Sequence, residues 1–318
     1  MQTMTYAEAA ANAVADAMRA DPTVWCVGED LGRGGVFKQY TGLPEEFGPE
    51  RISDAPISEA AIMGAAFGAA MVGTRPIVEM RFADFALCAT DELVNQIAKA
   101  RFMFGGQSRA PMVIRKPMGM WRSSAAQHSQ SLESWYVHIP GLVVCCPATP
   151  QDNYSMMRAA IACDDPVVYL EHKDIWALEG PVNTDESYTF GKARLRHSGD
   201  DVTIVSWSNT ANLAVDAAGT LSAEGIQADV LDLRSLWPWD KTAVLDSVRR
   251  TGRLLIAHES VQVGGFGAEI AATVAEHAPC RIKRMGSPRS LIAYAPNLED
   301  QLRVTRQMIE DAARSMSE

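Results

Sequence analysis

The chain has 318 residues, enough for two domains that each bury a core, and a net charge of −10. That charge argues against nucleic acid and against an anionic membrane surface as partners. No apolar run reaches the ~18 residues of a spanning helix and no charged-then-apolar leader opens the chain. With six cysteines that form no C-x-x-C pair, it reads as a cytoplasmic protein with reduced thiols.

Residues 5–19 predict an alanine-rich amphipathic helix and 24–27 a strand. The glycine-bearing loop LGRGGVFKQYTGL follows, and GRGG fits neither phosphate-binding spacing, so it reads as a plain connection. A short strand at 51–54 and a turn at Pro56 lead to a helix that Ser58 suits as N-cap, with Glu59 in its first turn. From Ala60 to Ala70 nearly every residue is small or apolar, which predicts a helix buried on every side. Gly64 and Gly68 would let another backbone approach closely. Glu59 is then a carboxylate at the mouth of a buried helix. It is either a capping acid favoured by the helix dipole or a group that hydrogen-bonds a ligand.

A strand over 76–80 ends at FADF (82–85), where an aromatic ring could stack on a heterocycle or simply pack. A long helix is expected over 84–104, stopped by Gly105 and Gly106. After a strand at 111–115, KPMGMWRSSAAQHSQS is polar and glycine-bearing, an exposed loop. Its His128 lies off any apolar face and can donate or accept a proton near neutral pH; a surface histidine without a role is the other reading. Strands at 143–146 and 166–170 flank a helix at 150–163. The polar stretch 179–191 marks a domain boundary, giving domains 1–182 and 183–318. A second series follows: strands at 202–206, 226–231, 253–258 and 281–283, and helices near 209–224, 241–250, 266–277 and 298–315. The fold class is α/β, two domains, each a mostly parallel sheet flanked by helices. The six histidines make no H-E-x-x-H spacing, so a catalytic zinc site has no support.

Taken together, RISDAPISEAAIMGAAFGAAMVGTRPIVEMRFADF, AQHSQS, HIPGLVVCCPATPQDN and DDPVVYLEHK, with GED at 28–30 and VGGFGAEI at 263–270, carry a resemblance. They resemble the β subunit of the thiamine-diphosphate-dependent 2-oxo acid dehydrogenase E1 components, the pyruvate, branched-chain 2-oxo acid and acetoin dehydrogenases. The resemblance implies a transketolase-like pyrimidine-binding domain followed by a transketolase-like C-terminal domain.

It also implies roles. Glu59 would hydrogen-bond N1′ of the cofactor's aminopyrimidine and favour the imino tautomer, which can take the thiazolium proton. Phe85 would lie against that ring, and Gly28 and Glu29 would border the cofactor cleft. His128 would help to bind the 2-oxo group and move protons during transfer to a lipoyl arm. A structural K⁺ would be held around Met112, Ala160, Ile161, Cys163 and Asp165. The family's GDG…Asn fingerprint for Mg²⁺ and the diphosphate does not occur here. The resemblance therefore implies a separate α subunit that holds Mg²⁺, an α2β2 heterotetramer with an intersubunit site, and the 60–70 helix at a subunit interface. The second domain would hold the tetramer together and dock the dihydrolipoyl acyltransferase E2 core with its lipoyl domain. However, GSPRSLIAYAPNLED departs from the family's D-x-P-x-P turn there. The activity implied is oxidative decarboxylation of a small 2-oxo acid, pyruvate first. The alternatives are cleavage of acetoin, a non-catalytic assembly subunit, and a split transketolase-like half.

Overall fold

The computed structural model describes residues 1–317. The chain packs as two compact units: Met1–Met118 with Trp135–Thr189, and Gly119–Ser134 with the chain from Phe190 onward. Among the described residues no helix is long and apolar enough to cross a membrane.

The first unit contains β1 (Gln2–Thr5), α1 (Tyr6–Ala20), β2 (Val24–Gly28), α2 (Leu43–Phe47), β3 (Ile52–Asp54), α3 (Glu59–Met71), β4 (Arg75–Glu79), α4 (Ala100–Met103) and β5 (Val113–Met118). After the short turn α5 (Glu133–Val137) come β6 (Val143–Cys145), α6 (Pro150–Ala162), β7 (Val167–His172) and β8 (Glu179–Val182). Strands β6-β7-β5-β4-β2-β3 lie side by side in that order, and each of these pairings is parallel. The chain passes from β2 outward to β3, then crosses back to β4 on β2's other side. The sheet's topological switch point is therefore between β2 and β4, where a doubly wound sheet opens its ligand crevice. Helix α1 starts on a capping box between Thr5 and Glu8, and α6 starts with Thr149 accepting from the Asp152 amide.

The second unit holds β9 (Arg194–His197), β10 (Val202–Ser206), α7 (Ser208–Ala223), β11 (Ala228–Asp232), β12 (Ser235–Trp237), α8 (Lys241–Thr251), β13 (Arg253–Val261), α9 (Gly267–His277), β14 (Arg281–Ser287), α10 (Pro296–Asp300) and α11 (Arg306–Ser317). Its sheet runs β14-β13-β10-β11-β9, parallel except for the antiparallel edge strand β9. Ile204, Val230, Leu255, Ala214 and Ile309 are among the fully buried side chains of its core.

Four expectations change. The loop expected to be exposed from Lys116 onward begins inside the fold: Lys116–Met118 complete β5, and all residues from Lys116 to Met120 are buried, because the strand continues past the charged residue. The long helix over 84–104 is a 3₁₀ turn (Phe85–Ala89), a π-helical stretch (Glu92–Ile97) and α4. Its winding shifts where the Ala98 carbonyl faces Gly141, at which a Cβ would come within 1.8 Å of that oxygen. The last helix is split in two, at Pro296–Asp300 and Arg306–Ser317. Finally, α3 is buried on one face only: Ile62, Met63, Ala66 and Ala70 point inward, whereas Ala61, Gly64, Ala65 and Gly68 are exposed.

Candidate active site

Gly28 ends β2 opposite Glu79, the last residue of β4. A Cβ on Gly28 would sit 2.7 Å from the Glu79 carbonyl oxygen, so only glycine lets these two strand ends close up. The chain leaving β2 carries Glu29 and Asp30, and the chain leaving β4 carries Arg81, Phe82 and Phe85. The Arg81 guanidinium lies 3.5 Å from Glu29 and 3.4 Å from Asp30, so the basic residue of the crevice is engaged by its own acids. The crossover from β3 to β4 brings in α3, headed by Glu59.

Glu59 is half-buried, and its carboxylate makes no hydrogen bond or ion pair among the described residues. Ser58 precedes the helix but does not cap it; its hydroxyl donates instead to the Pro56 carbonyl at 2.9 Å. Glu29 feels the Glu59 charge. Burial raises its pKa, the Glu59 carboxylate raises it further, and Arg81 pulls it back. Gly28, Glu29 and Glu59 are thus brought to one crevice. Phe85 joins an aromatic cluster beside it: Phe82 meets Phe85 edge-on at 5.2 Å and Phe37 at 5.7 Å, and the Lys173 ammonium lies 4.8 Å over the Phe82 ring.

Beneath the crevice the sheet carries charge. Arg115 on β5 is fully buried and pairs with Glu171 on β7, and its Nε lies 3.6 Å from Glu79. Glu79 accepts from Tyr40 at 2.9 Å and Gln39 at 3.1 Å, and Asn153 donates to Glu171 at 2.9 Å. Burial pushes Glu79 up to about 7 against the opposing pull of Arg115. The neighbouring Lys116 is also fully buried. Its Nζ lies 3.9 Å over the Tyr136 ring without a hydrogen-bond acceptor, and burial holds its pKa well below the usual lysine range.

The five residues expected around a cation meet at the C-terminal end of α6. Arg75 Nη1 donates to the carbonyls of Ile161 (3.1 Å) and Cys163 (3.0 Å), and Arg101 pairs with Asp165 at 3.0 Å. The Met112 carbonyl accepts from Val167 N at 3.0 Å, and that of Ala160 from Cys163 N at 3.2 Å.

His128 belongs to the second unit, in the half-exposed part of Gly119–Ser134. Arg122 lies on that segment with its guanidinium 5.0 Å over the Trp121 ring. Nearby, fully buried His258 stacks on Trp207 at 5.0 Å. Gly265, Gly267 and Gly286 wall in its ring, each close enough that a Cβ would stand 2.7–2.8 Å from it. Burial lowers His258 to about 4, so it is neutral. This packing accounts for Gly265 and Gly267 of VGGFGAEI, whereas Gly264 has open space around it and a left-handed φ of 74°.

Known proteins resolve what this arrangement belongs to. The transketolase pyrimidine binding domain profile matches residues 2–177, and the transketolase C-terminal domain profile matches 191–309. The chain is 38% identical to the 2-oxoisovalerate dehydrogenase subunit beta of Bacillus subtilis, over 100% of both chains. The chain belongs to the 2-oxo acid dehydrogenase E1 β family. It is also 40% identical to the acetoin:2,6-dichlorophenolindophenol oxidoreductase subunit beta of Cupriavidus necator, over 95% of this chain and 94% of that one. It is 38% identical to a mitochondrial pyruvate dehydrogenase E1 component subunit beta of Oryza sativa, over 98% and 85%. A solved structure titled split gene transketolase, inactive beta4 tetramer, shares the fold at TM-score 0.84, with 24% identity over 99% of this chain and 98% of that one.

For an E1 β chain, several structural residues near these sites carry no local sequence signal. Glu79, Arg115 and Glu171 sit on three strands far apart in sequence, and only the strand register brings them together. Glu133, Trp207 and Glu259 belong to the surroundings of His128 and were equally silent. An acidic or aromatic residue inside an otherwise apolar strand or its exit is the one signal that could have flagged them.

Proposed function

We propose that this chain is the β subunit of a thiamine-diphosphate-dependent E1 enzyme, active with an α subunit in an α2β2 heterotetramer. Its reaction would be oxidative decarboxylation of a small 2-oxo acid, pyruvate first, with reductive acylation of lipoamide on E2. The observation that carries this reading is Glu59: a half-buried carboxylate at the head of α3, without a hydrogen-bond partner among the described residues, in the switch-point crevice beside Glu29. A carboxylate left unsatisfied by its own chain fits a ring nitrogen that shares a proton with it. When bound, thiamine diphosphate supplies the carbon nucleophile that attacks a 2-oxo group.

This chain's own residues have narrower tasks. Glu59 holds or releases a proton at the pyrimidine N1′, and its charge adds to the burial that raises the neighbouring Glu29. Phe85 and Phe82 offer an apolar wall for the ring, and Gly28 keeps the crevice floor narrow. His128 moves a proton at the carbonyl oxygen of the substrate. Mg²⁺ and the diphosphate are assigned to the α subunit. A K⁺ ion fits the carbonyls of Met112, Ala160, Ile161 and Cys163 with the side chain of Asp165. Each carbonyl that already accepts an N–H keeps a second lone pair, but the Arg75 and Arg101 guanidinium groups on Ile161, Cys163 and Asp165 compete with the ion and would have to draw back for it. The partners proposed are the E1 α subunit, the E2 core with its lipoyl domain, and the substrate acid. The compartment proposed is the cytoplasm, in keeping with six cysteines that form no disulfide among the described residues.

Cleavage of acetoin is the second reading, favoured by the 40% identity to an acetoin oxidoreductase β subunit. The test is calorimetric titration of thiamine diphosphate with Mg²⁺ into this chain, into its α subunit and into the pair. Binding with the pair alone, followed by turnover of pyruvate or acetoin, is the expected result. Tight binding to this chain alone overturns the reading.

A further inference from the structure

The segment that carries His128 is strained. Arg122, Ser123 and Ala125 have φ of 47°, 58° and 63°, left-handed backbone that non-glycine residues avoid. Such residues persist only where their surroundings over-determine them. The segment's own backbone bonds are mostly short turns, such as Ser124 N to Trp121 O at 3.1 Å and His128 N to Ala125 O at 3.3 Å. These fix local shape, and a longer bond, Gly119 N to Gln130 O at 3.4 Å, crosses the segment.

The shorter bonds across the segment come from a side chain on β13, elsewhere in the same unit. Glu259 Oε1 accepts from the Met120 amide at 2.8 Å and from the Ser131 hydroxyl at 3.2 Å, so one carboxylate oxygen holds both sides of the strained turn. Two further bonds fasten the segment's end: Trp207 Nε1 donates to Glu133 at 3.1 Å, and Phe266 N donates to the Ser134 hydroxyl at 2.9 Å. Glu259 itself lies on β13 directly after His258, whose ring is gripped by Trp207 and three glycines. That strand end cannot shift without opening the packed core around it.

We propose that Glu259 is a positioning residue for His128. Its carboxylate clamps the segment at Met120 and Ser131 and thereby sets where the imidazole stands. The inference rests on the reading of His128 as the residue that moves a proton at the substrate carbonyl. Its role is that of an acceptor, so a neutral side chain with an oxygen in the same place should serve.

The test separates the clamp from the chemistry. Hydrogen–deuterium exchange of the full chain is followed by mass spectrometry in peptides covering 119–134. Glu259→Ala is expected to speed exchange there by about tenfold or more, while peptides from β10 and α3 stay unchanged. Glu259→Gln is expected to return it to within about threefold of wild type. With the α subunit, kcat should fall in Glu259→Ala and recover in Glu259→Gln, with KM little moved. Unchanged exchange over 119–134 in Glu259→Ala overturns the proposal, as does Glu259→Gln behaving like the alanine variant. If Glu259→Ala does not fold, Ser131→Ala takes its place. It should loosen 128–132 alone, and no change there overturns the clamp. A wild-type pair without 2-oxo acid or acetoin turnover would sink the reading of His128 but leave the exchange result to decide the clamp.

Discussion

Replacing Glu59 by Gln keeps the volume and one acceptor oxygen but removes the ability to take or give a proton. The cost in folding should be small. Glu59 is half-buried and makes no hydrogen bond or ion pair among the described residues, so stability should move by no more than about 0.5 kcal/mol. The cost in chemistry should be large. A positioned acid–base group contributes about 10²–10⁴-fold, or about 2.7–5.4 kcal/mol of barrier at 1.36 kcal/mol per decade. Glu29 should not take over. Losing the Glu59 charge removes one cause of its raised pKa, but burial, the larger cause, stays. The assay is NMR measurement of deuterium exchange at the thiazolium C2 of thiamine diphosphate bound to the αβ pair with Mg²⁺, beside a urea denaturation curve. Exchange slowed by two orders of magnitude or more, with an unchanged denaturation midpoint, is expected. Exchange within a few-fold of wild type would show that the proton is handled elsewhere.

Lys116→Met should stabilise the chain by about 1–3 kcal/mol at neutral pH, because it removes a buried amine that has no acceptor. Since the folded lysine pKa is depressed, the wild type carries the full penalty below that pKa and loses it as pH rises from there to the ordinary lysine value, so the advantage should shrink over that window. A destabilised variant in denaturant melts would refute this. Arg115→Met should cost about 3–5 kcal/mol, because Glu79 and Glu171 would face each other without a counter-charge. A loss below about 1 kcal/mol would mean the carboxylates are screened by other means. In the wild type, Glu79 at about 7 against 4.5 means that folding loses stability as pH rises through that window, by about 3 kcal/mol from this group alone. Glu79→Gln should flatten that slope in melts taken between pH 4.5 and 7.5. KCl should raise the thermal midpoint over NaCl at equal ionic strength, and Arg75→Met should increase the difference; equal midpoints in both salts would count against K⁺ at the α6 end.

Local signals in the sequence were enough for the βα alternation, the glycine stop at Gly105 and the start of α6 at Pro150, because each is decided within a few residues. The crevice was legible only through the resemblance, since the residues alone left the loop after Gly28 a plain connection and Glu59 either a capping acid or a ligand group. What escaped was non-local. The register that sets Glu79 against Arg115 is fixed by the whole sheet. The membership of Gly119–Ser134 in the second unit is decided by Glu259 and Trp207, more than seventy residues downstream. The misreading of α3 has a physical root as well. Small apolar residues report that something can come close, and they do not report whether that something is the same chain.

The open side of α3 also has a thermodynamic meaning for the chain on its own. Gly64 and Gly68 have nothing within 4 Å of where a Cβ would stand, and neither has a left-handed φ. Alanine at both would improve the helix by about 1 kcal/mol each without touching another atom of this polypeptide. This chain therefore keeps a helix about 2 kcal/mol weaker than its own fold requires, and the slack lies on the side that its own atoms leave bare.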